Sequence, residues 1–263
     1  MKVLRCDTKG IILSTYKKRR CEIGDLLAYC GPSESKEASM TMGARMNRTI
    51  RMLGMRAGSR PTLCTPEPPD GPPAGDLQIG DVVFIRVTAR PFLEVASATN
   101  SWTNHVGVIV DNRSDDPLIA ESTFPFARTT PMTSFLKRSE HGRCAVARLT
   151  IPLSDTHRSM LIAAAVRRMG TLYDTGFNVN SRRQFCSRFV REVIQEATDI
   201  QIGEVETFAM LLRRNSAPRL AFWRLWYFGR IPWQRRTVTP ASLLRSPLMH
   251  VVFDTQRDAV GTR

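Results

Sequence analysis

Three side chains have the types and placement that acyl transfer needs: Cys186, His105 and Glu121. Cys186 lies in Gln184-Phe185-Cys186-Ser187-Arg188-Phe189, with apolar residues at 185, 189, 193 and 197. That spacing predicts an amphipathic helix from Phe185 to Ala197. A thiol in the first turn of such a helix faces unpaired N–H groups and the positive end of the dipole. Both favour the thiolate, which is the nucleophile. Arg182, Arg183 and Arg188 are expected to add positive charge nearby. The competing reading of Cys186 is a small buried hydrophobe.

His105 opens a continuous apolar run, His105–Val110, as in a strand buried on both faces. The turn-forming stretch Asp111–Pro117 and the strand Leu118–Ser122 follow, which predicts a hairpin. Its centre near residues 113–114 puts residue 105 opposite roughly 121–123. Cross-strand neighbours approach to about 5.5 Å. Glu121 can then accept from one imidazole nitrogen and leave the other for Cys186, giving a nucleophile, a base and an orienting acceptor. Tyr173, 13 residues before Cys186, is a candidate donor to an oxyanion, beside the Cys186 N–H. Core packing is the rival role for Tyr173. His141, His157 and His250 fit less well, and no pair has H-x-x-x-H spacing. The six cysteines form no C-x-x-C pair. No metal and no cofactor is therefore expected, and the cysteines read as free thiols.

The elements that must position these groups come in a definite order. Asp81–Thr88 reads as a strand, Phe92–Ala98 as a short helix, and Ala145–Ile151 as a further strand. Ser154 can cap a helix running to Met169, which Gly170 ends. Strands first and helices after argue for an α+β fold, an antiparallel sheet packed against helices. Glu204 and Glu206, on a connector after the cysteine helix, read as capping or salt-bridge residues. Leu220–Arg236 holds Trp223, Trp226, Tyr227, Phe228 and Trp233 among arginines. Such a mixture suits a membrane interface, an acyl-chain groove or nucleic-acid stacking. Gly229 and Pro232 break any long amphipathic helix, so the favoured reading is an aromatic face buried on the sheet, with the arginines turned outward.

The chain has 263 residues and a formal charge of +14. That length can bury a core without disulfide or metal staples. Its 42% apolar and 24% charged residues exclude a wholly disordered, collagen-like or coiled-coil protein. Residues 61–75 contain six prolines and two glycines and read as an extended linker. Three parts follow: 1–75, a basic, Pro-rich, disordered extension; 76–255, a catalytic domain; 256–263, a tail. The excess of positive charge raises nucleic acid and anionic membrane surfaces as partners. A genome biased toward arginine gives the same excess. No run approaches the ~18 apolar residues of a membrane-spanning helix, and no secretory signal is evident, so the expected compartment is the cytoplasm.

The order of His on a strand, Glu on the next strand and Cys at a later helix start resembles the circularly permuted papain-like fold. That fold is related to NlpC/P60 hydrolases and lecithin–retinol acyltransferases. Within it, residues 77–247 look like the YebB family of bacterial enzymes. The likeness rests on Ile79-Gly80-Asp81-Val82-Val83-Phe84, Trp102-Thr103-Asn104-His105-Val106-Gly107, Ala120-Glu121-Ser122 and Tyr173-Asp174-Thr175-Gly176-Phe177. It continues through Gln184-Phe185-Cys186-Ser187, Gly203 to Phe208, Ile231-Pro232-Trp233 and Thr237 to Leu243. The resemblance implies Cys186 as nucleophile, His105 as base and Glu121 as orienting residue. The implied activity is that of a thiol hydrolase or acyltransferase acting on an amide or ester through a thioester. Its substrate would be a small amide, peptide-like or acyl compound. The alternative is a non-catalytic papain-like binding module, directed to nucleic acid or a lipid surface by its basic tail.

Overall fold

The computed structural model describes residues 71–215 and 219–258, with side chains as far as Gln256. The proposed extension therefore lies outside the described residues up to residue 70. Its last residues are not wholly extended, because Ala74–Asp76 close one 3-10 turn in which Asp76 N–H donates to the Pro73 carbonyl. A proline before a turn still offers its carbonyl as an acceptor, which the count of missing donors overlooks.

Six strands form one antiparallel sheet: β1 Val82–Val87, β2 His105–Asp111, β3 Leu118–Ser122, β4 Ala127–Pro131 and β5 Ser139–Leu149. A separate ribbon, β6 Glu206–Thr207 with β7 Arg236–Thr237, precedes the sixth strand, β8 Met249–Asp254. The order across the sheet is β4-β3-β2-β1-β5-β8. The chain thus returns to the sheet after its helices, so the expected order of strands then helices holds only as far as β5. β8 pairs with β5 at the edge and is half exposed, and this weakens the apolar alternation that would betray a strand.

Helix α1 spans Arg90–Ala98, α2 Met132–Leu136, α3 Asp155–Val166 and α4 Cys186–Thr198. One face of the sheet buries Val82, Phe84, Val106 and Val108 against Leu161 of α3 and Phe189, Val193 and Ile194 of α4. The other face buries Val83, Ile85, Ile109 and Ile119 against Met132 and Phe135 of α2. Both faces being covered explains why β1 and β2 read as unbroken apolar runs. Ser154 Oγ accepts from His157 N–H at 3.2 Å, the expected cap, and α3 passes at Arg167 into a turn that ends on Gly170 in the left-handed region.

Helices α5 Phe208–Arg214, α6 Leu220–Trp226, α7 Pro240–Leu244 and α8 Thr255–Asp258 complete the fold. Here one expectation is corrected. The aromatic segment does not lie on the sheet. Trp223 and Ile231 join Ala98, Phe208 and Leu212 in a third cluster between α1, α5 and α6. α6 is seven residues long and stops at a left-handed corner, so it buries one face only. Among the described residues no helix is long and apolar enough to cross a membrane.

Gly107 lies in β2 two residues past His105. A Cβ there would overlap the Ile119 side chain and reach 3.1 Å from the Ala120 carbonyl oxygen and 3.2 Å from the Phe135 ring. Phe135 also packs on the His105 ring, at 5.6 Å between centroids. Gly107→Ala is therefore expected to cost about 1–3 kcal/mol of stability by overpacking. A denaturant titration checks this; a variant within a few tenths of a kcal/mol of the parent would contradict it.

Candidate active site

Cys186 is the first residue of α4, preceded by Phe185 in an extended conformation (φ −129°). No side chain caps this helix start. The first-turn N–H groups beside the thiol are thus left to a ligand. The helix forms because Cys186, Phe189, Val190, Val193, Ile194 and Ala197 share one buried stripe, and Asp199 in the left-handed region ends it. Of the expected cationic neighbours, Arg188 is bound elsewhere. Its Nε donates to Glu192 at 2.6 Å and its Nη1 to the carbonyls of Ser181 and Arg183. Arg182 and Arg183 are exposed. The i, i+4 carboxylate at Glu192 competes for Arg188, so the positive environment of the thiol comes from the helix end and from His105.

His105 is held at the start of β2 by the polar residues before it. Asn104 accepts from Val87 N–H at 2.7 Å and donates to the Val87 carbonyl at 2.9 Å, and Thr103 Oγ1 donates to the Ile85 carbonyl. These bonds fasten the start of β2 to the end of β1 and give the Trp102-Thr103-Asn104-His105 block a physical reason. The hairpin is offset from the simplest alignment. Val108 pairs with Ala120, and the ladder slips between Ile109 and Asp111. Extended toward the open end, this register sets Gly107 beside Glu121, so Glu121 reaches His105 as a diagonal neighbour. The reach is made: His105 Nε2 and Glu121 Oε2 are 2.6 Å apart, and both side chains are buried.

Glu121 is saturated on both oxygens. Thr130 Oγ1 donates to Oε1 at 2.6 Å, and Arg138 Nη2 lies 2.8 Å from each oxygen. Burial pushes its pKa up, but His105, Arg138 and Thr130 outweigh this and hold it down to about 2. Burial likewise lowers the His105 pKa, and the Cys186 thiol and Glu121 carboxylate outweigh that, raising it to about 9. Nδ1 of His105 has no hydrogen-bond partner among the described residues. The imidazole is thus fixed on one edge and open on the other, with Phe92 edge-on at 5.8 Å and Phe135 at 5.6 Å on its sides.

Tyr173 is brought to the same place. Its backbone bridges to Gln184, two residues before Cys186, and its N–H donates to the Pro125 carbonyl at 2.9 Å. The hydroxyl is buried without a hydrogen-bond partner among the described residues. Burial first, then the Cys186 thiol, pushes the phenol well above its ordinary range, so it keeps its proton. The structure therefore brings together all four expected residues.

It also adds some. Thr130 and Arg138 carry the hydrogen bonding of Glu121, and neither stands in a pattern that periodicity would single out. Beside the thiol lies a small apolar cavity of about 30 Å³, walled by Tyr173, Phe185, Phe208, Leu211, Trp223 and Val238. Ser187 Oγ donates to the Val238 carbonyl at 2.8 Å, and the β6–β7 ribbon brings this loop in. That is what the Thr237 to Leu243 block does. Glu206 pairs with Arg214 at 2.6 Å, as expected of a salt-bridge residue. His141, His157 and His250 lie elsewhere. Four of the cysteines lie outside the described residues, and Cys144 and Cys186 are free thiols.

An antiparallel sheet carrying histidine and glutamate, faced by a helix that opens on cysteine, defines a papain-like thiol enzyme fold in permuted order. The chain belongs to the permuted papain-like amidase family, described as YaeF/YiiX or C92, which it matches over residues 76–253. It is similar to the uncharacterized protein YiiX of Escherichia coli strain K12, with 27% identity over 176 residues, covering 66% of this chain and 85% of that protein. It is also similar to the crystal structure of metalloprotein yiiX from Escherichia coli O157:H7. There the TM-score is 0.60 at 26% identity, covering 67% of this chain and 97% of the other.

Proposed function

We propose that this chain is a cysteine amidase in which Cys186 is the nucleophile, His105 the proton carrier and Glu121 the residue that orients and charges the imidazole. The observation that carries this reading is the buried 2.6 Å contact of His105 Nε2 with Glu121, beside a thiol at a helix start. His105 takes the thiol proton, and the thiolate attacks the amide carbonyl. The S–C bond forms while the oxyanion accepts from the Cys186 N–H and the Tyr173 hydroxyl. The C–N bond then breaks as His105 gives its proton to the departing amine. Neutral His105 next takes a proton from water, hydroxide attacks the thioester, and the thiolate leaves.

An amine entering in place of water makes the same thioester a transfer intermediate. The apolar lining beside the thiol favours a small apolar group on the carbonyl side, which supports this second reading. The narrower kinship with the YebB and NlpC/P60 enzymes, and the cytoplasmic setting, belong to the same proposal. One relative is titled a metalloprotein. The residues here do not fit a metal: both Glu121 oxygens are occupied by His105, Thr130 and Arg138. That leaves one thiol and one imidazole nitrogen, where catalytic zinc takes three protein ligands. Among the described residues no group of three His, Cys, Asp or Glu side chains converges.

The test is twofold. His105 is expected to titrate near pH 9 by imidazole NMR, not near 6.5. Alkylation of Cys186 by iodoacetamide at neutral pH, read by peptide mass, is expected to slow about tenfold or more in His105→Ala. Cys144 serves as an internal control, since burial pushes its thiol up to about 12. Equal alkylation of Cys186 in both proteins, with His105 titrating like a free histidine, would overturn the assignment.

A further inference from the structure

The α6 helix has two faces. Trp223 turns inward and walls the pocket beside Cys186. Leu225 and Phe228 turn outward and are 81% and 97% exposed. Single exposed hydrophobes are ordinary. This pair is not placed in an ordinary way. Phe228 has φ +51° and Gly229 follows at +91°. A bulky side chain in the left-handed region is strained. Within the described fold Phe228 gains no burial that would offset this. The corner is nonetheless held. Trp226 Nε1 donates to the Thr175 carbonyl at 3.0 Å, and the Tyr227 hydroxyl donates to the Gly176 carbonyl at 3.1 Å. Phe228 is thus presented at the end of an anchored helix.

The segment's own charge has one sign, and the nearest carboxylate, Asp174, lies on the inner side toward Tyr227. Residues 219–236 contain five arginines and neither aspartate nor glutamate. Among the described residues Arg224, Arg230 and Arg236 form no ion pair, although elsewhere arginines commonly do, as Arg138, Arg148, Arg168 and Arg188 show. Leu225, Phe228, Arg230 and Arg235 border one open groove. A protruding apolar tip in an arginine-rich segment, with Arg230 beside it, complements an anionic bilayer. The tip enters the acyl boundary and the guanidinium groups reach the phosphates. A protein partner would want a broader, flatter patch. We propose that the α6 corner, Leu225 to Arg230, docks this protein on an anionic lipid surface. The proposal does not rest on the chemistry at Cys186.

The experiment uses the full chain and vesicles of phosphatidylcholine, alone or mixed with phosphatidylglycerol. Partition to the mixed vesicles is expected, reduced about tenfold or more in Leu225→Ser/Phe228→Ser. Arg224→Gln/Arg230→Gln is expected to weaken binding and flatten its salt dependence. Phe228→Trp should add fluorescence that brominated acyl chains quench. Cys186→Ala should bind as the parent does, which separates a failure of docking from a failure of catalysis. The substituted corner residues are all exposed, so an unchanged melting temperature is expected for each corner variant. Four outcomes would overturn the proposal: no partition; undiminished partition of Leu225→Ser/Phe228→Ser, as when another basic segment binds; added fluorescence in Phe228→Trp that is already shielded without vesicles; or a parent dimer that the serine variant dissolves.

Discussion

Cys186→Ala is expected to lower turnover at least about 10⁴-fold and to leave the fold standing. The size follows from the role: removing the nucleophile of a covalent mechanism leaves only binding and oxyanion contacts, and those supply a small part of the acceleration. The modest structural effect follows from the position. Cys186 is small and occupies the first turn of α4, so alanine removes a single heavy atom beside an existing cavity. Phe189, Val193 and Ile194 keep the helix on the sheet. The measurement is trapping of an acyl-enzyme on the intact protein from an activated acyl donor, with release by hydroxylamine. A mass adduct in the parent that survives in Cys186→Ala would assign the nucleophile elsewhere. Cys186→Ser should also lose most turnover, because a hydroxyl is far less acidic than a thiol and the site is arranged around a sulfur nucleophile.

How far the sequence reaches is clearest at particular residues. α4 was legible because its apolar stripe repeats every three to four residues and its cysteine stands at the head of it. β1 and β2 were legible because a strand covered on both faces has nothing but apolar residues to show. β4 was not, because Ala127–Pro131 is an edge strand whose threonines serve Glu121 and solvent instead of the core. β8 was hidden for a like reason. Register was legible to within two residues. The turn at 111–117 fixes the hairpin centre, while the slip between Ile109 and Asp111 is a local irregularity with no residue signature. The partners of Glu121 come from segments that meet only in the folded chain, so Thr130 and Arg138 carried no signal at all. The aromatic segment was misread because its composition is right for a buried face, while its length, cut off by the Phe228–Gly229 corner, allows only half of it to be covered.

Glu121 is where stability and chemistry meet. Glu121→Gln is expected to lower turnover about 10³-fold or more. It keeps the shape of the side chain and an oxygen for the His105 N–H, but removes the charge that holds the imidazolium. The His105 pKa should then fall from about 9. The linkage signs can be worked for the parent. His105 has its folded pKa raised from 6.5, so its contribution to stability is full below pH 6.5 and is lost as pH rises through about 9. Glu121 has its folded pKa lowered from 4.5, so its contribution is full above pH 4.5 and is lost as pH falls through about 2. The buried pair therefore supports the fold best between about pH 4.5 and 6.5. In Glu121→Gln the alkaline loss should begin at lower pH, and imidazole NMR should show His105 titrating earlier. Glu121→Ala should be worse, by about 3–5 kcal/mol of stability, since it strands a buried imidazolium beside Arg138. A purely structural Glu121 predicts something different: Glu121→Gln would lose stability but keep both the His105 titration and the rate of Cys186 alkylation. The two readings separate on that pair of measurements, because only an orienting charge links the carboxylate to the reactivity of a thiol on another element.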